Sequence, residues 1–177
     1  MPNTVRFKEW VTLLRAAINK HLPRGYEVAE IEEQYLQYTE GGKFETHLDT
    51  HCNPLKDCRL GEDGQHPRLL TYLVYLNPGW VEADGGTFVI YEGWPDQPAQ
   101  EVLKPTLGKG IFFRSDKLHH SAEWVNTQKR AITLFINIKK VEIAADQEDA
   151  TAIRNTDMTA ALQQEAIELA KRAIQRH

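Results

Sequence analysis

A mainly β domain, a sandwich or barrel flanked by a helix at each end, is the fold class that three features of this sequence predict. The centre alternates short segments rich in Val, Ile, Tyr, Phe and Thr with clusters of Gly, Pro, Asn and Asp. Both ends carry apolar residues at helical spacing. The 177 residues suit one domain, spanning 1–177, that buries a core without disulfides or a structural metal.

In order along the chain, residues 4–21 predict an amphipathic helix. Phe7, Val11, Leu14 and Ile18 form its apolar stripe, and Trp10 and Ala17 widen it. Pro23 and Gly25 end it. Strands are expected at 27–39, 69–76, 86–91, 100–103, 109–114, 120–125 and 130–138, within a core of 27–138. In 69–76, Leu69, Thr71, Leu73 and Tyr75 share one face; in 130–138, Arg130, Ile132, Leu134 and Ile136 do. Residues 50–68 form a long polar stretch, of the kind that serves as a lid or binding loop. Residues 141–156 are acidic and Ala-rich, like a linker. Residues 157–175 predict a second amphipathic helix, with Leu162, Ala166, Leu169 and Ala173 on one face and Asn155, Thr156 or Asp157 as its N-cap. It is expected to pack outside the β core.

Composition narrows the function. Hydrophobic residues make up 41% and charged residues 26%, ordinary for a globular protein. With 21 Lys and Arg against 25 Asp and Glu, the net charge of −4 disfavours binding to nucleic acid, which needs a basic face. No apolar run approaches the ~18 residues of a membrane span, and the N-terminus lacks the apolar core of a signal peptide, so no membrane contact and a cytoplasmic location are expected. Cys52 and Cys58 are too few for a disulfide framework and read as two free thiols in a loop.

The chemistry resides in a few positions. His47 and Asp49 stand two apart, so on an extended chain they share a face and could bind one metal ion. Far downstream, His119 and His120 follow the strand pattern Gly110–Arg114. A second His beside His47 and Asp49 completes the two-His, one-carboxylate set of non-haem iron(II) oxygenases, which leaves open positions on the metal. Arg130 stands at the end of the Ile132–Leu134–Ile136 face, where a guanidinium fork would meet a buried carboxylate with two parallel bonds.

These residues fall in a recognisable order. Tyr38-Thr39-Glu40-Gly41-Gly42-Lys43-Phe44-Glu45-Thr46-His47-Leu48-Asp49 resembles the Tyr-x-x-Gly, aromatic, His-x-Asp run of the prolyl-4-hydroxylase-like branch of the Fe(II)/2-oxoglutarate oxygenases. Tyr72-Leu73-Val74-Tyr75-Leu76-Asn77, followed by Trp80, is similar to that branch's next core strand and turn. Asp84-Gly85-Gly86-Thr87-Phe88 resembles its Gly-Gly turn, and Phe113-Arg114-Ser115-Asp116, His120, Val125 and Arg130 follow its closing pattern. Two positions depart from it: Trp124 stands where a Pro precedes the Val, and Gln128-Lys129 where a Gly precedes the Arg.

The resemblance, over about 27–138, implies a double-stranded β-helix, or jelly roll. It implies Fe(II), 2-oxoglutarate and O2 as cofactor and co-substrates, and hydroxylation of an unactivated C–H bond in a prolyl residue or a free or peptide-bound amino acid. His47, Asp49 and His120 would hold iron, the family spacing to Arg130 favouring His120 over His119. Arg130 would take the distal carboxylate of 2-oxoglutarate, with Tyr75 and Tyr38 beside it. Trp80 and Trp94 are candidates to stack a small-molecule or peptide substrate, although each is as readily a packing Trp. Two other readings stand beside this one: a zinc-dependent hydrolase, since His, Asp and His also bind zinc, and a non-catalytic metal-binding jelly roll.

Overall fold

The computed structural model describes residues 2–50, 68–93 and 98–142. The chain opens with α1 (Pro2–His21) and continues through β1 (Tyr26–Thr39), β2 (Phe44–His47) and β3 (Arg68–Tyr75). A single 3-10 turn, Glu82–Asp84, precedes β4 (Phe88–Tyr91), β5 (Ala99–Leu103), β6 (Gly110–Arg114), β7 (His119–Ala122) and β8 (Gln128–Lys140). Two four-stranded antiparallel sheets result, ordered β1-β8-β3-β6 and β2-β7-β4-β5. This is the expected jelly roll. The expected strands are all present within a few residues of their bounds, and β2 is added to them. The Cys pair and the expected C-terminal helix, 157–175, lie outside the described residues, as does most of the 50–68 stretch.

The helix forms as its stripe predicts. Trp10, Leu14, Ala17 and Ile18 are buried, and Lys20 and His21 occupy the last turn, where the helix dipole favours positive charge. Pro23 and Gly25, the latter at φ 84°, turn the chain into β1. Asn19 Oδ1 accepts the Val28 backbone N–H at 2.8 Å and Arg15 donates to the Val28 carbonyl at 2.7 Å, which ties α1 to β1.

Each sheet face has its own partner. Leu70, Tyr72 and Val74 of β3, Phe112 of β6, and Leu134, Ile136 and Ile138 of β8 pack against Trp10, Leu14 and Ile18 of α1. On the other face Leu73, Tyr75, Ile111, Phe113 and Ala131 meet Phe88 of the smaller sheet. A register shift between Val28 and Glu30 in β1 inverts its alternation. Val28 therefore joins the helix side, while Gln34, Leu36 and Tyr38 line the interior.

The alternation of β8 corrects one expectation. Ile132, Leu134 and Ile136 do share a face, but it is the face under α1, not the interior. The interior is lined by the small and polar alternates Lys129, Ala131 and Thr133, together with Phe135. With a side-chain period of two, this single change of parity moves Arg130 out of the barrel and Lys129 into it.

Candidate metal centre

Two neighbouring strands bring the first two candidate ligands together. His47 of β2 lies opposite His120 of β7, and their ring centroids are 4.3 Å apart. Asp49 follows two residues after His47, just past the end of β2, so the chain turn rather than strand alternation returns its carboxylate to the rings. Asp49 Oδ1 stands 3.2 Å from His47 Nε2 and 3.5 Å from His120 Nε2. One donor atom from each of the three residues falls within 4.8 Å of the others, a separation that a single ion can span.

The donor chemistry fits an iron(II) or similar ion. His47 Nδ1 lies 2.8 Å from the Glu45 carbonyl and His120 Nδ1 lies 3.0 Å from the Leu118 carbonyl. A carbonyl only accepts, so each Nδ1 carries the proton and each Nε2 presents its lone pair to the site. The remaining Asp49 oxygen, Oδ2, accepts from the Thr71 hydroxyl at 2.8 Å, and the Thr71 oxygen in turn accepts from the Ser115 hydroxyl at 2.8 Å. Thr71 and Ser115 are buried and hold the carboxylate in orientation.

Electrostatics set the protonation that ligation needs. Burial pushes the Asp49 carboxyl up, but the adjacent His47 and His120 rings and the Thr71 hydrogen bond outweigh it and hold the group below its ordinary value. Burial lowers His120, only partly offset by Asp49 and the Leu118 carbonyl, so its ring is neutral at pH 7. Phe88 stacks on the His120 ring at 4.7 Å and Phe113 meets it edge-on at 5.0 Å. Phe44, half exposed, caps His47 at 4.3 Å.

These residues border a cavity of about 340 Å³ between the sheets. Tyr38, Tyr75 and Lys129 also line it. Lys129 is 3% exposed. Its ammonium donates to the Gly86 carbonyl at 3.1 Å and lies 4.4 Å from the centre of the Tyr38 ring. Among the described residues no carboxylate lies within 4.0 Å of it. Burial lowers its pKa to about 8, with Glu123 opposing the shift. Burial also raises Tyr75 and Tyr38, so both hydroxyls stay protonated as donors. Elsewhere in the lining, Arg68 forms a two-point ion pair with Glu32, which also accepts from Asn137 at 2.8 Å, and the guanidinium lies over the Phe135 ring at 3.9 Å.

Of the residues singled out in the sequence, the fold gathers His47, Asp49, His120, Tyr75 and Tyr38 around one space. His119 pairs with Tyr91 on β4 and is outside the cluster. Arg130 is on the wrong side. Its guanidinium is exposed, bonded to Gln128, in a separate cleft of about 290 Å³. Trp80 lines that outer cleft and donates to the Gly85 carbonyl at 2.9 Å, so it does not face the metal cluster. Trp94 lies outside the described residues. Lys129, Thr71 and Ser115 escaped the sequence reading. For Lys129 the signal was present: small and polar residues at its alternates mark an interior face, and large aliphatics at those of Arg130 mark a helix-packing face.

The chain resembles a prolyl-4-hydroxylase from Pseudomonas putida at 24% identity, covering 72% of this chain and 62% of that one with a TM-score of 0.55. A prolyl 4-hydroxylase from Phytophthora capsici matches at 20% identity, 96% and 57% coverage and a TM-score of 0.55. A prolyl hydroxylase from Trichoplax adhaerens, solved with a peptide fragment of the hypoxia inducible factor oxygen degradation domain, matches at 22%, 63% and 46% coverage, and 0.50. The chain thus spans about half to three-fifths of the length of these proteins, and the likeness is one of fold. A sequence search of curated proteins gave no match. The family model described as the 2OG-Fe(II) oxygenase superfamily matches residues 33–137, a span that holds His47, Asp49, His120 and Lys129, and the chain belongs to that superfamily.

Proposed function

We propose that this chain is a 2-oxoglutarate-dependent iron dioxygenase that hydroxylates an unactivated C–H bond of a prolyl residue, or of a free or peptide-bound amino acid. One observation carries the reading: an inward-facing His-Asp-His cluster shares a cavity with a buried lysine that, among the described residues, forms no ion pair with a carboxylate. A zinc hydrolase has no use for that lysine, whereas a dianionic co-substrate supplies its missing charge.

His47, Asp49 and His120 would hold the iron. With 2-oxoglutarate and O2 bound, that iron would activate O2, so that one oxygen atom enters a C–H bond and the other enters the succinate formed as 2-oxoglutarate loses CO2. Lys129 takes the role expected of Arg130 and pairs with the distal carboxylate. Tyr38 and Tyr75, protonated, border the same end. Thr71 keeps Asp49 Oδ2 occupied and leaves Oδ1 for the metal. Leu36, Leu73 and Ala131 give the co-substrate's methylene chain an apolar wall. The prolyl assignment is supported by likeness to the three prolyl hydroxylases, one of them solved with a peptide.

The test is addition of Fe(II) and then 2-oxoglutarate to metal-free protein without oxygen, followed by admission of air with prolyl peptides or free amino acids. A weak visible charge-transfer band, lost in His120→Ala and kept in His119→Ala, is expected. Succinate should then form in step with a product 16 mass units heavier, the gain from one oxygen atom. Metal binding without that band would sink the reading.

A further inference from the structure

Lys129 is held by a turn that the chemistry above leaves without a task. We infer that Gly86, and the Trp80-anchored turn that carries it, are positioning elements that aim the Lys129 ammonium at the distal carboxylate of 2-oxoglutarate. This rests on the reading of Lys129 given above.

A lysine side chain is flexible, and its ammonium is a point charge with no fork to orient it. Burial alone therefore does not place it. Here two neutral groups do, the Gly86 carbonyl and the Tyr38 ring. Neutral partners fix direction and leave the charge unspent for a ligand. The carbonyl takes one of three ammonium protons, so two remain for a carboxylate.

Residue 86 is glycine for the same reason. Its φ is 71°, and a Cβ there would lie 3.0 Å from Lys129 Cδ and 3.0 Å from Val125 Cγ2. The lysine stem thus lies against bare backbone. At Gly85, φ 68°, a Cβ would collide with the Trp124 carbonyl oxygen.

The turn is clamped to the segment that leads into Lys129. Gly86 N–H donates to the Trp124 carbonyl at 2.7 Å and Asn126 N–H to the Asp84 carbonyl at 2.8 Å. Thr127 donates to Asp84 Oδ1 at 3.0 Å, and Asn126 Nδ2 to the Ala83 carbonyl at 2.9 Å. Asp84 Oδ2 accepts the Val81 N–H at 2.9 Å, and Trp80 Nε1 donates to the Gly85 carbonyl at 2.9 Å from the outer cleft. The lysine and its acceptor therefore belong to one braced unit.

The experiment compares two ligands on Zn(II)-loaded protein by calorimetry. One is 2-oxoglutarate. The other is 2-oxopentanoate, with the same metal-binding end and a methyl in place of the distal carboxylate. Gly86→Ala should weaken 2-oxoglutarate tenfold or more and leave 2-oxopentanoate within twofold. Trp80→Phe keeps an aromatic side chain, removes the indole N–H and its hydrogen bond, and should weaken 2-oxoglutarate two- to fivefold with 2-oxopentanoate unchanged. Thermal melts verify folding, and should Gly86→Ala not fold, Trp80→Phe decides alone. Equal weakening of both ligands, or of neither, overturns the inference. A Lys129→Met protein that binds 2-oxoglutarate as wild type does would instead overturn the underlying role of Lys129.

Discussion

At the scale of single residues, Lys129 and Arg130 form the sharpest contrast in the molecule. They are sequence neighbours with opposite exposures. Loss of a charge-assisted contact to a buried carboxylate costs about 1.5–3 kcal/mol. Lys129→Met should therefore raise the Kd for 2-oxoglutarate by roughly 10- to 150-fold, while Arg130→Met leaves it within about twofold, as a surface change does. Calorimetry on both variants checks this, and the reverse order would restore Arg130. The pH dependence follows from the same group. Burial lowers Lys129 from 10.5 to about 8, so the folded protein releases this proton more readily than the unfolded chain. The cost of burying the charge, on the order of 3 kcal/mol, is full below pH 8 and fades as pH rises toward 10.5. Ligand-free Lys129→Met should accordingly be more stable than wild type at pH 7, with the gap closing over that window in urea melts taken at several pH values. Affinity for 2-oxoglutarate should fall as pH rises above about 8, because a neutral lysine offers no charge to pair.

At the scale of elements, the sequence was read correctly wherever period and spacing decide the outcome. The stripe of α1 led directly to the observed helix, and the alternation of β3 to the observed face at Thr71, Leu73 and Tyr75, whereas Leu69, beside a register shift between Arg68 and Leu70, packs on the helix side. His47 and His120, far apart in the chain, were paired by motif order alone. What escaped was parity. The Ile132–Leu134–Ile136 run looked like an interior face because it is apolar, yet a helix-facing surface is equally apolar. Only the packing of α1 across the larger sheet decides between them. Thr71 and Ser115 escaped for a related reason: they act through Asp49, and nothing local marks two hydroxyls that meet between β3 and the turn after β6. The helix itself should be a stabilising element rather than a chemical one. Leu14→Ala should lower unfolding stability by about 2–5 kcal/mol, against about 0.5 kcal/mol for the exposed Leu13→Ala. Chemical denaturation measures both, and equal losses would refute the assigned face of α1. Metal affinity should be unchanged in the folded Leu14→Ala protein.

At the scale of the whole molecule, the residues proposed to hold metal and co-substrate come from strands of both sheets. Zn(II) or Fe(II) bound at His47, Asp49 and His120 should raise the melting temperature in wild type but not in His120→Ala. A site filled at 100 times its Kd adds about 2.7 kcal/mol. 2-Oxoglutarate should raise it further only when metal is present, and an equal rise without metal would contradict a shared site. Among the described residues, no helix is long and apolar enough to cross a membrane. The ladder between β1 and β8 carries a consequence of a different kind. It sets Tyr26 opposite Lys140, so the first strand pairs with the last described one. A ribosome adding ~5–20 residues per second leaves β1 waiting on the order of ten seconds for that neighbour. Throughout that interval Trp10, Leu14 and Ile18 lack the β8 surface they finally cover. A message cut short before β8 should therefore yield a polypeptide whose apolar helix face is only partly covered, by β3 and β6, and that is more open to proteolysis than the whole chain.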